Sequence, residues 1–139
     1  MDETWTDGFL VGGMASAPDD REIARSYREA AELMLDFVKA DREVWRVAYP
    51  ILFLYRHALE LLLKAVIRPG RPSQGLAPLV EALDELLATR FQQTLPDFVR
   101  SDLLAFSRID PDSQAFRYAR HRSGDARYLE GEYWFSWMN

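Results

Sequence analysis

The chain has 139 residues, no cysteine, and 17 basic against 22 acidic side chains, which describes one acidic domain able to bury its own core without disulfides or a structural metal. Apolar content of 48% and charged content of 28% exclude a disordered, collagen-like or disulfide-scaffold chain. The missing thiols exclude cysteine catalysis and thiolate zinc sites, and the negative balance argues against a protein built chiefly to coat nucleic acid.

Residues 1–18 scatter Gly8, Gly12, Gly13 and Pro18 among apolar side chains and read as an arm whose order depends on docking. Their acidic start lacks the basic and apolar regions of a secretory signal, so a cytoplasmic location is expected. Asp19 and Glu22 have capping-box spacing, and Ile23, Tyr27, Ala30, Met34 and Phe37 recur at helical steps, which predicts an amphipathic helix over about 20–40. A second helix is expected from Val44 to Arg68, kinked or restarted at Pro50. Its longest apolar run, Val47 to Tyr55, is too short to cross a bilayer, so no membrane partner is expected. Being apolar almost all round, it belongs at the centre of a bundle, with one polar seam of Arg46, Tyr49, Phe53, Arg56, His57, Glu60 and Lys64.

Pro69 to Gly75 is a loop. Leu76, Leu79, Val80, Leu83, Leu86 and Leu87 form the stripe of a third helix, with Glu81, Asp84 and Glu85 facing away. Thr94 and Asp97 suggest another N-terminal cap, opening a fourth helix marked by Leu95, Val99, Leu103, Phe106 and Ile109 and ended by Asp110-Pro111. Short links favour sequential neighbours side by side. The expected fold is all-α: an antiparallel up-and-down bundle of four main helices over 19–110, followed by a basic loop and an aromatic-rich C-terminal tail over 111–139, all in one domain. The tail is compatible with a hairpin about Glu130-Gly131 or with a short helix.

The seam has two readings. On an exposed helix, Arg56, Glu60, His57 and Lys64 would be ordinary surface ion pairing; on a helix otherwise buried, they would face a groove or a partner. The segment from Phe116 to Tyr128 sets Arg117, Arg120, Arg122 and Arg127 against the single acid Asp125. Arginine forks match phosphate oxygens, and Phe116, Tyr118 and Tyr128 could stack on bases. The competing reading is a solvated loop whose arginines pair with Asp110 and Asp112, in a chain holding fifteen arginines against two lysines. In a third, the aromatics of Phe116-Arg117-Tyr118 pack inward while Arg117 pairs with Glu60. Tyr133, Trp134, Phe135 and Trp137 would either cover an open face of the bundle or form a homodimer interface. No phosphate loop, nucleophile elbow or dinucleotide fingerprint occurs. His57-Ala-Leu-Glu60 reverses the Glu-x-x-His order of di-metal bundles, so neither a metal nor a cofactor is expected.

The string from Tyr49 to Lys64, read with Asp110-Pro-Asp-Ser-Gln-Ala-Phe-Arg-Tyr118, resembles a group of prokaryotic proteins similar to the HEPN superfamily. The likeness covers about residues 20–120. It implies a helical bundle that often dimerises, in toxin–antitoxin, phage-defence or RNA-processing settings, and a metal-independent RNA cleavage by an arginine and a histidine with about four to six residues between them. In this chain Arg117 and His121 stand one residue closer than that pattern, and Arg120 and Arg122 flank the histidine. The reading that results is a non-catalytic HEPN-like interaction module, homodimeric, binding a protein or RNA partner in a defence, counter-defence or toxin–antitoxin context. Its binding residues would be Arg56, His57, Glu60, Lys64, Arg117, Arg120 and Arg122. The alternative is a variant ribonuclease using Arg117, Arg120 and His121.

Overall fold

The computed structural model describes residues 19–41, 44–67, 75–119, 124, 126, 127, 129 and 131–133. Within them the chain is an all-α four-helix bundle: α1 Asp20–Asp41, a 3₁₀ turn Val44–Arg46, α2 Ala48–Ile67, α3 Leu76–Phe91 and α4 Asp97–Ile109. Each helix packs on its chain neighbour, α1 against α2, α2 against α3 and α3 against α4, as short connections dictate.

The start of α1 is fixed by a reciprocal cap. Asp19 Oδ1 accepts from the Arg21 and Glu22 N–H groups at 3.0 and 2.9 Å, while Glu22 Oε2 accepts from the Asp19 N–H at 3.1 Å, so donors left over by the helix are satisfied. Buried Ala24, Ala31 and Val38 recur every seven residues along α1, small enough to let α2 approach closely. Phe37, expected inward, is instead 74% exposed. It lies about 100° around the helix from Val38, beyond the stripe that these small residues occupy.

Pro50 restarts the helix rather than kinking it. The 3₁₀ turn ends at Arg46, and Pro50 is the third residue of α2, where its missing N–H costs no helical bond. The core gathers Leu63 of α2 with Leu76, Leu79 and Val80 of α3, packed round by Leu59, Ile67, Leu83, Leu95, Leu103, Leu104 and Phe106. Burying a leucine fully is worth about 1.5–3 kcal/mol, so this cluster binds α2, α3 and α4 into one body.

Thr94 does not cap α4. Pro96 stands at the N-cap with no side-chain cap bond, and its carbonyl accepts from the Arg100 N–H at 3.0 Å. The turn is held from α3 instead: Asp84 Oδ1 accepts from the Leu95 N–H at 3.0 Å, and Asp84 Oδ2 pairs with the Arg100 guanidinium. Asp84 therefore staples α3 to α4 rather than facing solvent alone. The choice between a hairpin and a helix near Glu130-Gly131 falls mostly outside the described residues, as does the arm 1–18.

Candidate functional site

Arg56 lies at the middle of α2 on the side turned toward the end of α4, and it is fully buried, as is Asp110. A buried guanidinium is tolerable only when its donors and its charge are met. Arg56 Nε donates to the Asp110 main-chain oxygen at 3.0 Å, and Nη1 donates to Glu60 Oε2 at 2.7 Å. The other Glu60 oxygen accepts from Lys64 Nζ at 2.6 Å. Asp110 Oδ2 stands 3.0 Å from Nε but off the N–H direction, so charge rather than a hydrogen bond compensates it.

The remaining oxygen of Asp110 organises the chain beyond α4. Oδ1 accepts from the N–H groups of Gln114 and Ala115 at 2.8 and 2.9 Å, and the Gln114 carbonyl then accepts from Arg117 and Tyr118 at 3.0 and 2.9 Å. One carboxylate thus ties α2, the end of α4 and the turn carrying Arg117 together. Burial alone would raise the Glu60 carboxyl, yet its hydrogen bonds to Lys64 and Arg56, with their charges, hold it below the ordinary value.

His57, one residue on, faces a different environment. Its ring meets Tyr27 of α1 edge-on at 4.6 Å and stacks parallel to Phe53 at 5.8 Å between centroids. Burial lowers its pKa first; Glu60 pulls the other way, and Lys64, Arg56 and Arg117 lower it further. The imidazole is held toward its neutral form. Arg117 lies exposed over Phe53 at 5.7 Å and over Tyr118 at 5.3 Å, an arginine laid along aromatic faces.

The structure therefore corrects three expectations. Arg117 does not pair with Glu60, because Arg56 and Lys64 already occupy both of its oxygens. Arg56 does not face a groove or a partner, because its guanidinium is enclosed within the fold. In the Phe116-Arg117-Tyr118 string only Phe116 packs inward, against Tyr49 and Phe106, while Tyr118 is half exposed. Arg120, His121, Arg122, Trp134, Phe135 and Trp137 lie outside the described residues. Tyr133 is described and exposed.

Sequence reasoning missed Asp110 as the buried partner of Arg56 and Tyr27 as the wall of the His57 cage. Asp110 carried a signal in its place just before a turn-forming proline, since aspartate there caps turns; nothing local marked Tyr27. Among the described residues no cluster of three or more His, Asp or Glu side chains is placed to hold a metal ion, and no helix is long and apolar enough to cross a membrane. Comparison with family models, curated proteins and solved structures found no match to the chain.

Proposed function

We propose that the protein is a non-catalytic helical interaction module of HEPN-like type, which pairs as a homodimer and engages a protein or RNA partner. The observation that carries this reading is the enclosure of Arg56 and Asp110: the strongest polar constellation in the described fold is spent on holding helices together. A substrate has no approach to it. His57 is likewise caged between rings and held toward neutrality, which suits a packing role better than phosphate chemistry.

Support for association comes from the outer face of α1. Leu33 and Phe37, one turn apart on α1, are 72% and 74% exposed. Large apolar groups grouped this way mark contact surfaces more often than bare solvent faces. For the partner, the exposed Arg117 lying against Phe53 and Tyr118 offers a cation with two aromatic faces, the pairing used to grip phosphate beside a stacked base or an acidic peptide beside an apolar one. A defence, counter-defence or toxin–antitoxin setting rests on the resemblance alone.

The test is mass in solution by light scattering. The wild-type chain is expected to run as a dimer, and Phe37→Glu as a monomer with unchanged helix content. Deleting residues 129–139 separates the aromatic tail's share from that of α1. A monomeric wild-type chain overturns the dimer, and RNA cleavage that disappears in His121→Ala overturns the non-catalytic reading.

A further inference from the structure

One strip of α1 carries its charges in two blocks. Arg21, Arg25 and Arg28 occupy the N-terminal half, and Glu29, Glu32 and Asp36 the C-terminal half, all six exposed. At about 100° per residue they fall within an arc of about 100°, beside the buried stripe of Ala24, Ala31 and Val38. Glu22, at the edge of the strip, is spent on the N-terminal cap, and Lys39 lies past its end. The blocks mirror one another about the point between Arg28 and Glu29: Arg25 and Glu32 stand equally far from it along the chain, as do Arg21 and Asp36.

This order runs against what a helix prefers for itself. The macrodipole favours acids at the N-terminus and bases at the C-terminus, and an acid four residues before a base pairs better than the reverse. Arg28 pairs with Glu32 at 3.4 Å in that reverse order, while Arg21, Arg25 and Glu29 form no ion pair among the described residues. The order does suit a second α1 running the other way. An antiparallel neighbour centred on the same point sets Arg21 opposite Asp36, Arg25 opposite Glu32 and Arg28 opposite Glu29, each pair repeated by the two-fold axis. A parallel neighbour in register would set like charges together.

Exposed ion pairs hold little by themselves, and the apolar area comes from beside them. A groove of about 450 Å³ between α1 and α4 opens on the arginine side of α1. Its floor is formed by Tyr55, Leu59 and Leu62 of α2 with Phe106 of α4, and Leu62 keeps 46% of its surface exposed. In the antiparallel register, residues 29–36 of the second copy lie along this opening, with the half-buried Leu35 on the groove side of the strip.

We propose that the protein pairs with a second copy through α1, as an isologous antiparallel dimer in which each arginine block meets the other copy's acidic block and the C-terminal half of each α1 closes the other's groove. This rests on the homodimeric reading above and names the face and register that the reading leaves open.

The test is charge exchange in the full-length chain, with dissociation constants read by sedimentation equilibrium. Arg25→Glu and Glu32→Arg each set two like-charge contacts into the dimer and should each raise its dissociation constant at least about tenfold. Each variant also gains an opposite charge four residues away within its own helix, from Arg21 and Asp36 respectively, so helix content should hold. Mixed in equal amounts, the two variants should form a heterodimer at close to the wild-type dissociation constant, and the chain carrying both substitutions should pair with itself again. A mixture no tighter than either variant alone overturns the register. Single variants that dimerise like the wild-type chain overturn the α1 face and leave the homodimer standing on another surface, whereas a monomeric wild-type chain overturns the homodimer itself and this inference with it. Should either variant lose helix content, Arg21→Glu and Asp36→Arg take their place with the same expected and overturning results.

Discussion

Arg56 Nε lies 3.0 Å from the main-chain oxygen of Asp110 and 3.0 Å from its Oδ2, with both residues fully shut from water. The pair joins positions 54 residues apart in sequence and sets how the turn after α4 meets α2. Removing one member strands the other. Arg56→Met should therefore lower stability by about 3–5 kcal/mol, the cost of an uncompensated buried charge. Asp110→Asn keeps an acceptor for the Gln114 and Ala115 N–H groups and should cost less, and the double variant should recover part of the loss through a coupling of about 1 kcal/mol or more. Urea midpoints for the four proteins give these values. A loss below about 1 kcal/mol for Arg56→Met would show that the pair does not hold the fold.

Glu60 predicts an acid-side weakness. Its carboxyl is held below the ordinary 4.5 because two cations outweigh its burial. A carboxyl depressed on folding contributes stability that is complete above its unfolded value and disappears as pH falls through the folded one. Unfolding free energy should therefore decline as pH drops below about 4.5, and Glu60→Gln should flatten that decline while lowering stability at neutral pH. Urea titrations at stepped pH read both. Superimposable slopes for the two proteins would remove Glu60 from the acid response.

What could be read from the residues follows from how far each signal reaches. The cap at Asp19 and Glu22, the interruption near Pro50 and the leucine stripe of α3 are local, set by backbone geometry and helical period, and stand in the structure, where the interruption, open in the sequence between a kink and a restart, is a restart. Phe37 misled because an apolar residue at a helical step counts the same whether it faces a neighbour or lies outside the contact stripe; only the seven-residue recurrence of Ala24, Ala31 and Val38 told which face α2 would cover. Arg56 and Arg117 could not be ranked as partners of Glu60. Each has the right charge, and the choice was made by the path of α4, which brings Asp110 onto Arg56 and leaves Arg117 on the aromatic faces outside.

Gly75 is kept small by a close approach. It precedes α3 with extended backbone angles any residue can adopt, but a Cβ there would stand 2.9 Å from the Pro111 carbonyl oxygen. That oxygen belongs to the turn organised by Asp110, so it cannot yield without disturbing the buried pair. Gly75→Ala should cost about 1–3 kcal/mol, as overpacking against fixed atoms does, and larger side chains more. The melting temperature checks it: an unchanged value would mean that the start of α3 and the 111–115 turn move apart freely.

Asp84 supports the connection between α3 and α4 with one carboxylate, accepting from the Leu95 N–H and pairing with Arg100. Asp84→Ala leaves the partly buried N–H without an acceptor and should cost about 1–3 kcal/mol, whereas Arg100→Ala, which removes only a partly exposed ion pair, should cost at most about 1 kcal/mol. If the two substitutions cost the same, the backbone bond is not what holds this turn.

Arg117 and His57 make the aromatic cage open to a direct measurement. Burial between Tyr27 and Phe53 lowers the imidazole pKa, Glu60 opposes this, and nearby cations including Arg117 add to the lowering. A histidine depressed on folding adds stability that is complete above 6.5 and declines as pH falls through its folded value, the same sense as Glu60 but at higher pH. With two histidines in the chain, proton resonances can be assigned by His121→Asn, and His57 should titrate with a midpoint below 6.5. Arg117→Gln removes one of the cations and should move that midpoint upward while leaving the cage in place. A His57 midpoint at or above 6.5, or one indifferent to Arg117, would place the ring in solvent and separate it from the arginine that lies over Phe53.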